Sequence, residues 1–263
     1  AKTSDPAVLV LDEGGHYVIP ILSGHIGGAN ALAGRLAGLL GARAVVTTAT
    51  DLNGVFAADN WATERGYHIH DPAQIKGVSA RLLAGEGVGL WSHFPVEGAL
   101  PEGVDLALSR AEAHLTIGVE KTGNDHALRL IPPALVLGVG CRRGTETAAI
   151  EALFHVVCSQ EDLHPMAFGR VSSIDLKGDE PGLLEFCRSR GLPFQTFSAQ
   201  ELAGVEGDFT PSPFVEATTG VDNVCERAAA LGGCTLLVKK TAGFGVTMAV
   251  AAMPWTVRFE EDV

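Results

Sequence analysis

Residues 16–48 read HYVIPILSGHIGGANALAGRLAGLLGARAVVTT, and their order decides the fold class. HYVIPIL is a β-prone apolar run. After the glycine-rich corner LSGHIGGAN, the residues Leu32, Leu36, Leu39 and Leu40 recur at helical spacing, and Gly41 supplies a stop. Residues 44–48 then read as a buried strand. Strand, loop, helix and strand in this order predict a βαβ unit with parallel strands and a right-handed crossover. Gly34 and Gly38 each cost the helix about 1 kcal/mol relative to alanine. Four residues apart, they share a face and predict a close approach to the sheet. Upstream, residues 8–11 and 16–22 flank Asp12-Glu13-Gly14-Gly15, a hairpin-turn sequence.

Downstream the α/β alternation continues. Helical patterns cover residues 58–65 and 72–83, strands fall at 88–91 and 114–119, and residues 127–131 close a unit at Pro132-Pro133. A fresh series opens with ALVLGVG and a helix over 146–157. It continues with SSIDLK, a helix over 181–190, PFQTF, a helix near 215–231, and the closing strands TLLVKK and GVTMAVAA. The expected fold is multidomain α/β. A Rossmann-like N-terminal βαβ unit spans residues 1–55, a small α/β middle region 56–132, and a separate α/β C-terminal domain 133–263.

Composition narrows the function. Apolar residues make up 46% and charged residues 19%, which suits a well-cored globular chain and not a disordered one. No apolar run reaches the roughly 18–20 residues that cross a bilayer, and AKTSDPAVLV lacks a signal-peptide layout, so a cytoplasmic protein without a membrane partner is expected. The five cysteines are dispersed with no CxxC, which reads as reduced thiols. A net charge of −12 repels phosphates and argues against nucleic acid. An anionic ligand would therefore need local cations or backbone amides.

In open parallel sheets, ligands sit at the carboxyl ends of strands. LSGHIGGAN follows the first strand of the βαβ unit and TTATDLNG the second. Ser23 and His25 on one loop would then face Thr48, Asp51 and Asn53 on the next. Gly24, Gly27 and Gly28 precede a helix and can aim N–H groups at an anion or an oxyanion, beside Asn30. The pattern is GxxGG, neither GxGxxG nor a P-loop, which excludes a standard nucleotide site. The same residues also suit a plain tight turn, a satisfied loop histidine and a capping aspartate, and spacing alone leaves both readings open.

The second half repeats the arrangement. In LGVGCRRGTE, Arg142 and Arg143 sit beside a helix start and suit a carboxylate or phosphate; two solvated arginines is the plain alternative. Cys141 beside them could have a lowered pKa, with no histidine base placed by the sequence. Asp179 and Glu180 read as ordinary helix-start acids, whereas Lys177 is less easily explained. Asn223, Cys225, Glu226 and Lys240 lie near turns, each a weak signal alone. His68 and His70 alternate onto one face and could bind metal, although a surface pair fits better without a third ligand.

Residues 5–62, DPAVLVLDEGGHYVIPILSGHIGGANALAGRLAGLLGARAVVTTATDLNGVFAADNWA, closely resemble the cobalt-precorrin-5A hydrolase family, the CbiG proteins of anaerobic cobalamin biosynthesis. LVLGVGCRRGT, SSIDLKGDEPGLLEF, PFQTFSAQEL and PSPFVEATTGVDNVCERAA resemble that family's C-terminal domain, which is also similar to CobE proteins. Family members usually carry further residues before DPAV, so an N-terminal α/β unit incomplete at its start is expected.

The resemblance implies hydrolysis without an organic cofactor, on a tetrapyrrole that carries its own cobalt. Water opens a lactone, and carbon–carbon cleavage releases acetaldehyde to give cobalt-precorrin-5B. Such chemistry needs a base, oxyanion donors and cations for peripheral carboxylates. His25 with Asp51 is the candidate catalytic pair, in a cleft between the two halves. Ser23, Gly24, Gly27, Gly28, Asn30, Thr48, Asn53 and Asn223 are candidate substrate contacts, with Arg142, Arg143, Lys177 and Lys240 as carboxylate clamps. Neighbouring cobalamin-pathway enzymes are candidate partners. Two rivals remain: a non-catalytic corrinoid-intermediate binder or carrier, and a nucleotide-dependent or methyltransferase enzyme, which the missing phosphate-loop pattern disfavours.

Overall fold

A computed structural model describes residues 6–22, 24, 27–46 and 54–259. The first unit opens with β1 (Val8–Leu11) and β2 (Tyr17–Leu22), paired antiparallel across a turn in which Gly15 takes φ 65°. The Tyr17 N–H donates to the Asp12 carboxylate at 2.6 Å and closes that turn. Helix α1 (Ala29–Leu40) follows, and β3 (Arg43–Ala44) returns parallel to β2, so the expected βαβ unit is present.

Two details of this unit differ from the sequence reading. The helix face on the sheet consists of Ala29, Ala33 and Ala37, buried beside Val18, while Gly34 and Gly38 are exposed. A methyl group already allows close contact at lower cost to the helix. The return strand is two residues long and only partly covered; residues 47 and 48 of the expected run lie outside the described residues.

The middle unit contains α2 (Ala58–Glu64), β4 (His68–Ile69), α3 (Ile75–Leu83), β5 (Val88–Ser92), β6 (Val96–Gly98), β7 (Val104–Leu106), β8 (Leu115–Ile117) and β9 (Leu128–Ile131). Its five-stranded sheet runs β4-β9-β8-β5-β7, parallel except at β4. Strands β4, β6 and β7 carry too few residues for a periodic signal, and the sequence reading missed them.

The C-terminal unit runs β10 (Leu135–Cys141), α4 (Thr147–Gln160), β11 (Phe168–Ile174), α5 (Pro181–Arg190), β12 (Phe194–Phe197), α6 (Ala199–Ala203), α7 (Pro213–Thr219), α8 (Cys225–Ala230), β13 (Thr235–Gly243) and β14 (Val246–Ala252). Its sheet order is β12-β11-β10-β14-β13, with β10, β11 and β12 parallel and β14 antiparallel to both its neighbours. Alternation along β10 sends Leu135, Leu137 and Val139 into the core with Ile150, Leu153, Phe154, Leu183 and Phe186 of α4 and α5. Val136 points the other way, to Cys225 and Ala229 of α8. Gly138 shares that second face because a Cβ there would stand 1.9 Å from the Cys225 carbonyl oxygen.

Three further differences are informative. The single helix expected near 215–231 is two, because Gly220 closes α7 in a left-handed conformation (φ 80°). Of SSIDLK, only Ser172 to Ile174 are strand; residues 175–177 form a turn of 3-10 helix. Finally, β15 (Val257–Phe259) pairs with β6 of the middle unit, and Phe259 stacks on Trp61 at 4.7 Å. The last described strand therefore packs with the middle unit, beyond the boundary expected at residue 132.

Candidate functional site

Ser23, His25, Thr48, Asp51 and Asn53 lie outside the described residues. Of the N-terminal corner, Gly24, Gly27, Gly28 and Asn30 are described. Gly28 precedes α1 at φ 75°, which glycine adopts without a Cβ penalty. The Asn30 N–H donates to the Gly24 carbonyl at 2.9 Å, folding the corner back over the helix start. A Cβ on Gly24 would stand 2.9 Å from Asn30 Oδ1, so the asparagine side chain lies directly against that glycine.

The second constellation is brought together. A cleft of about 710 Å³ opens at the carboxyl ends of β10, β11 and β13, and Arg142, Arg143, Lys177, Asn223 and Lys240 all line it. Its volume falls within the roughly 300–1,000 Å³ of small-molecule sites. Topology explains the position: β11 and β14 leave β10 on opposite sides, and the strand order reverses there. Every lining residue lies between Gly140 and Thr247, so the cleft is built within the C-terminal unit and not, as expected, between the two halves. Ile174, Leu176, Phe214, Val215 and Val246 give it apolar walls. Phe214 is 78% exposed on α7, a helix with no buried residue.

The cations are not equivalent. Arg142 is exposed, and its guanidinium has no ion pair or hydrogen bond among the described residues; only its backbone is tied, to Gly245 at 3.3 Å and Thr145 Oγ1 at 2.7 Å. Arg143 is paired with Asp179 at 3.1 Å, both largely exposed. Lys177 is mostly covered and donates at 3.3 Å to Glu180, which is fully buried. Glu180 also accepts the Gly144 N–H at 2.6 Å. Lys240 sits where two residues of β13, Lys239 and Lys240, oppose one of β14, a bulge that turns its N–H out of the ladder onto Glu226 at 2.6 Å. Its Nζ reaches the Thr210 carbonyl at 3.5 Å.

Several expectations need correction. Asn223 lines the cleft, but its amide is used internally: Nδ2 donates to the Thr210 carbonyl at 2.8 Å, and Oδ1 accepts the Glu226 N–H at 2.9 Å at the start of α8. Cys141 also lines the cleft, yet burial raises its thiol pKa against the lowering effect of Lys177, the reverse of an activated nucleophile. Glu180 is more than a helix-start acid, since its carboxylate bridges two loops. His68 and His70 meet a third histidine, His164, through a 3.0 Å contact between His70 Nδ1 and His164 Nε2. His164 Nδ1 accepts the Met166 N–H at 3.1 Å, so both ring nitrogens of His164 are engaged. Among the described residues no group of three or more histidine, cysteine or carboxylate side chains is arranged to hold a metal, and no helix is long and apolar enough to cross a membrane. The residues missed by sequence reading are Phe214, Thr210 and Gly144, together with the contacts that Glu180 and Glu226 make across the chain, for which no local pattern existed.

Three family models match the chain in succession: Cobalamin synthesis G N-terminal over residues 1–51, Cobalamin biosynthesis central region over 56–132, and Cobalamin synthesis G C-terminus over 135–251. A cobalt-precorrin-5A hydrolase of Salmonella typhimurium is 35% identical, covering 95% of this chain and 76% of that protein. Another cobalt-precorrin-5A hydrolase, from Priestia megaterium, is 34% identical, covering 97% and 73%. Protein CobE of a Sinorhizobium species is 31% identical over 49% of this chain and 86% of its own length.

Proposed function

This chain belongs to the CbiG family of cobalamin synthesis G proteins, and we propose that it is a cobalt-precorrin-5A hydrolase. The observation that carries the reading is identity of about a third to two hydrolases along nearly the whole chain. The C-terminal cleft supports it, with apolar walls for a macrocycle face and basic side chains for its carboxylate rim. Those cations locally offset a net charge of −12, which would otherwise repel a polyanion.

In the reaction, water adds to the lactone carbonyl, and the tetrahedral oxyanion collapses to a carboxylate and an alkoxide on the extruded carbon. The alkoxide becomes the aldehyde carbonyl as the carbon–carbon bond breaks, and a proton replaces the released acetaldehyde on the ring. His25, oriented by Asp51, acts as the base that activates water, because an imidazole titrates near neutrality. Gly24, Gly27, Gly28 and Asn30, with Ser23, Thr48 and Asn53, are the proposed contacts to the reacting part of the substrate. Arg142 and Lys240 hold carboxylates directly, Arg143 and Lys177, already paired with Asp179 and Glu180, complete the basic rim, and Asn223 acts by shaping the loop beside them. Cobalt enters and leaves with the tetrapyrrole, and the chemistry needs no organic cofactor. Neighbouring enzymes of the pathway are the partners this substrate exchange implies.

The test is acetaldehyde release from purified protein supplied with cobalt-precorrin-5A. Stoichiometric acetaldehyde with formation of cobalt-precorrin-5B is expected. Tight binding of the tetrapyrrole without acetaldehyde would replace the hydrolase with a corrinoid carrier.

A further inference from the structure

We propose that two fully buried glutamates, Glu180 and Glu226, are positioning residues that fix the segments carrying the cations of the C-terminal cleft before any ligand arrives. The proposal rests on reading the cleft as the seat of a polycarboxylate tetrapyrrole. Both side chains are 0% exposed. Burying a carboxylate is unfavourable unless donors converge on it, and here the donors come from the segments that carry the cleft's basic residues and from Thr210, just ahead of its aromatic wall.

Glu180 serves one side. It accepts the Gly144 N–H at 2.6 Å, in the turn that presents Arg142 and Arg143, and Lys177 Nζ at 3.3 Å. One carboxylate thus joins the loops that follow β10 and β11. The neighbouring Gly182 lets α5 start against the same turn, since a Cβ there would stand 2.1 Å from the Thr145 carbonyl oxygen. Glu226 serves the other side. It accepts the Thr210 N–H at 2.7 Å, the Thr210 hydroxyl at 2.9 Å and the Lys240 N–H at 2.6 Å. Thr210 leads directly into Ser212 and Phe214, so Glu226 holds both Lys240 and the approach to the exposed aromatic wall.

The consequence is specificity. Cations carried on segments held at opposite sides of a cleft reward a rigid ligand with several carboxylates at fixed separations, because the segments themselves need no further ordering on binding. A ligand whose carboxylates are masked gains nothing from them.

The experiment uses the full chain and its Glu180→Gln and Glu226→Gln variants. Glutamine keeps the shape but sets an N–H against donors. Each protein is titrated with cobyrinic acid, a polycarboxylate corrinoid, and with its neutral heptamethyl ester, and acetaldehyde release from cobalt-precorrin-5A is followed in parallel. The native chain should bind the acid at least about tenfold more tightly than the ester. Each variant should lose at least about tenfold in acid affinity and show a KM raised by a similar factor, with ester affinity unchanged and kcat within about threefold. Thr210→Val removes one donor to Glu226 and leaves the buried carboxylate in place. It should give a smaller loss of the same kind, and it carries the Glu226 test if Glu226→Gln does not fold. Native discrimination retained in full by folded variants would overturn the positioning role and leave the cleft reading standing. A native chain that binds acid and ester alike would overturn both, while acetaldehyde release would still report independently on the hydrolase.

Discussion

At the scale of single residues, the cleft's basic side chains separate by what already holds them. Arg142 has no guanidinium partner among the described residues, and Lys240 Nζ has only a 3.5 Å contact to a carbonyl, whereas Arg143 is paired with Asp179. A charge-assisted hydrogen bond contributes about 1.5–3 kcal/mol. Arg142→Ala and Lys240→Ala should therefore raise KM for cobalt-precorrin-5A by about 10- to 100-fold, at near-constant kcat. Arg143→Ala should change KM by less than about threefold, because an exposed, already paired arginine has little to offer a ligand. Equal effects from all three would remove the distinction. His25 is a different kind of test. As the general base, its replacement by alanine should lower turnover by at least about 10²-fold while leaving the melting temperature unchanged, and near-native turnover in the folded variant would take it out of the mechanism.

Elements show where sequence legibility begins and ends. Long apolar runs with clean punctuation were readable: β10, α5 over Pro181–Arg190 and β14 stand where the spacing put them. Two-residue strands such as β4 were not, since no period exists in so few residues. The cleft was half legible. Arg142 and Arg143 signalled an anion site beside a helix start, Lys177 stood unexplained, and Asn223 and Lys240 signalled weakly near turns, but only the order β12-β11-β10-β14-β13 brings them to one place. The buried roles of Glu180 and Glu226 depend on contacts across 36 and 14–16 residues of chain, which no local pattern encodes. Within the LGVG run, Gly138 serves packing. Gly138→Ala would place a methyl group 1.9 Å from the Cys225 carbonyl oxygen and 2.9 Å from Ala229. Either β10 or α8 must then move, at a cost of about 1–3 kcal/mol or more. A urea midpoint lowered accordingly is the expected result, whereas Gly34→Ala, exposed with nothing within 4 Å of the added methyl group, should be neutral to stabilising by up to about 1 kcal/mol; an unaffected Gly138→Ala would mean that α8 yields freely.

At the scale of the whole molecule, the middle and C-terminal units are joined on several sides, and one joint is titratable. Trp255 donates to the Tyr67 hydroxyl at 3.2 Å, β15 adds to β6, and His164 of the C-terminal unit meets His68 and His70 of the middle unit. Burial pushes the pKa of His164 down to about 4, reinforced by His68, His70, Arg129 and Lys121. Burial also lowers His68 and His70; His70 feels Arg129 in the same direction and Asp71 and Asp125 in the opposite one. The folded state thus prefers these rings neutral. Above an unfolded value near 6.5 neither state binds the extra proton, and the preference changes nothing. Below it the unfolded chain gains protons that folded His164 refuses until about pH 4. Stability is therefore present above pH 6.5 and is lost as pH falls toward 4, by up to about 3 kcal/mol for His164 alone. Carboxylates protonating over the same range also alter stability, so the informative comparison is with His164→Asn, whose amide oxygen can still accept the Met166 N–H without titrating. Urea unfolding followed by tryptophan fluorescence reads the joint directly, because Trp255 and Trp61 lie at it or stack on the returning strand. The native chain should lose about 2–3 kcal/mol more than His164→Asn between pH 7 and pH 4.5. Parallel pH profiles for the two proteins would mean that the histidine contact closes the joint without governing its response to acid.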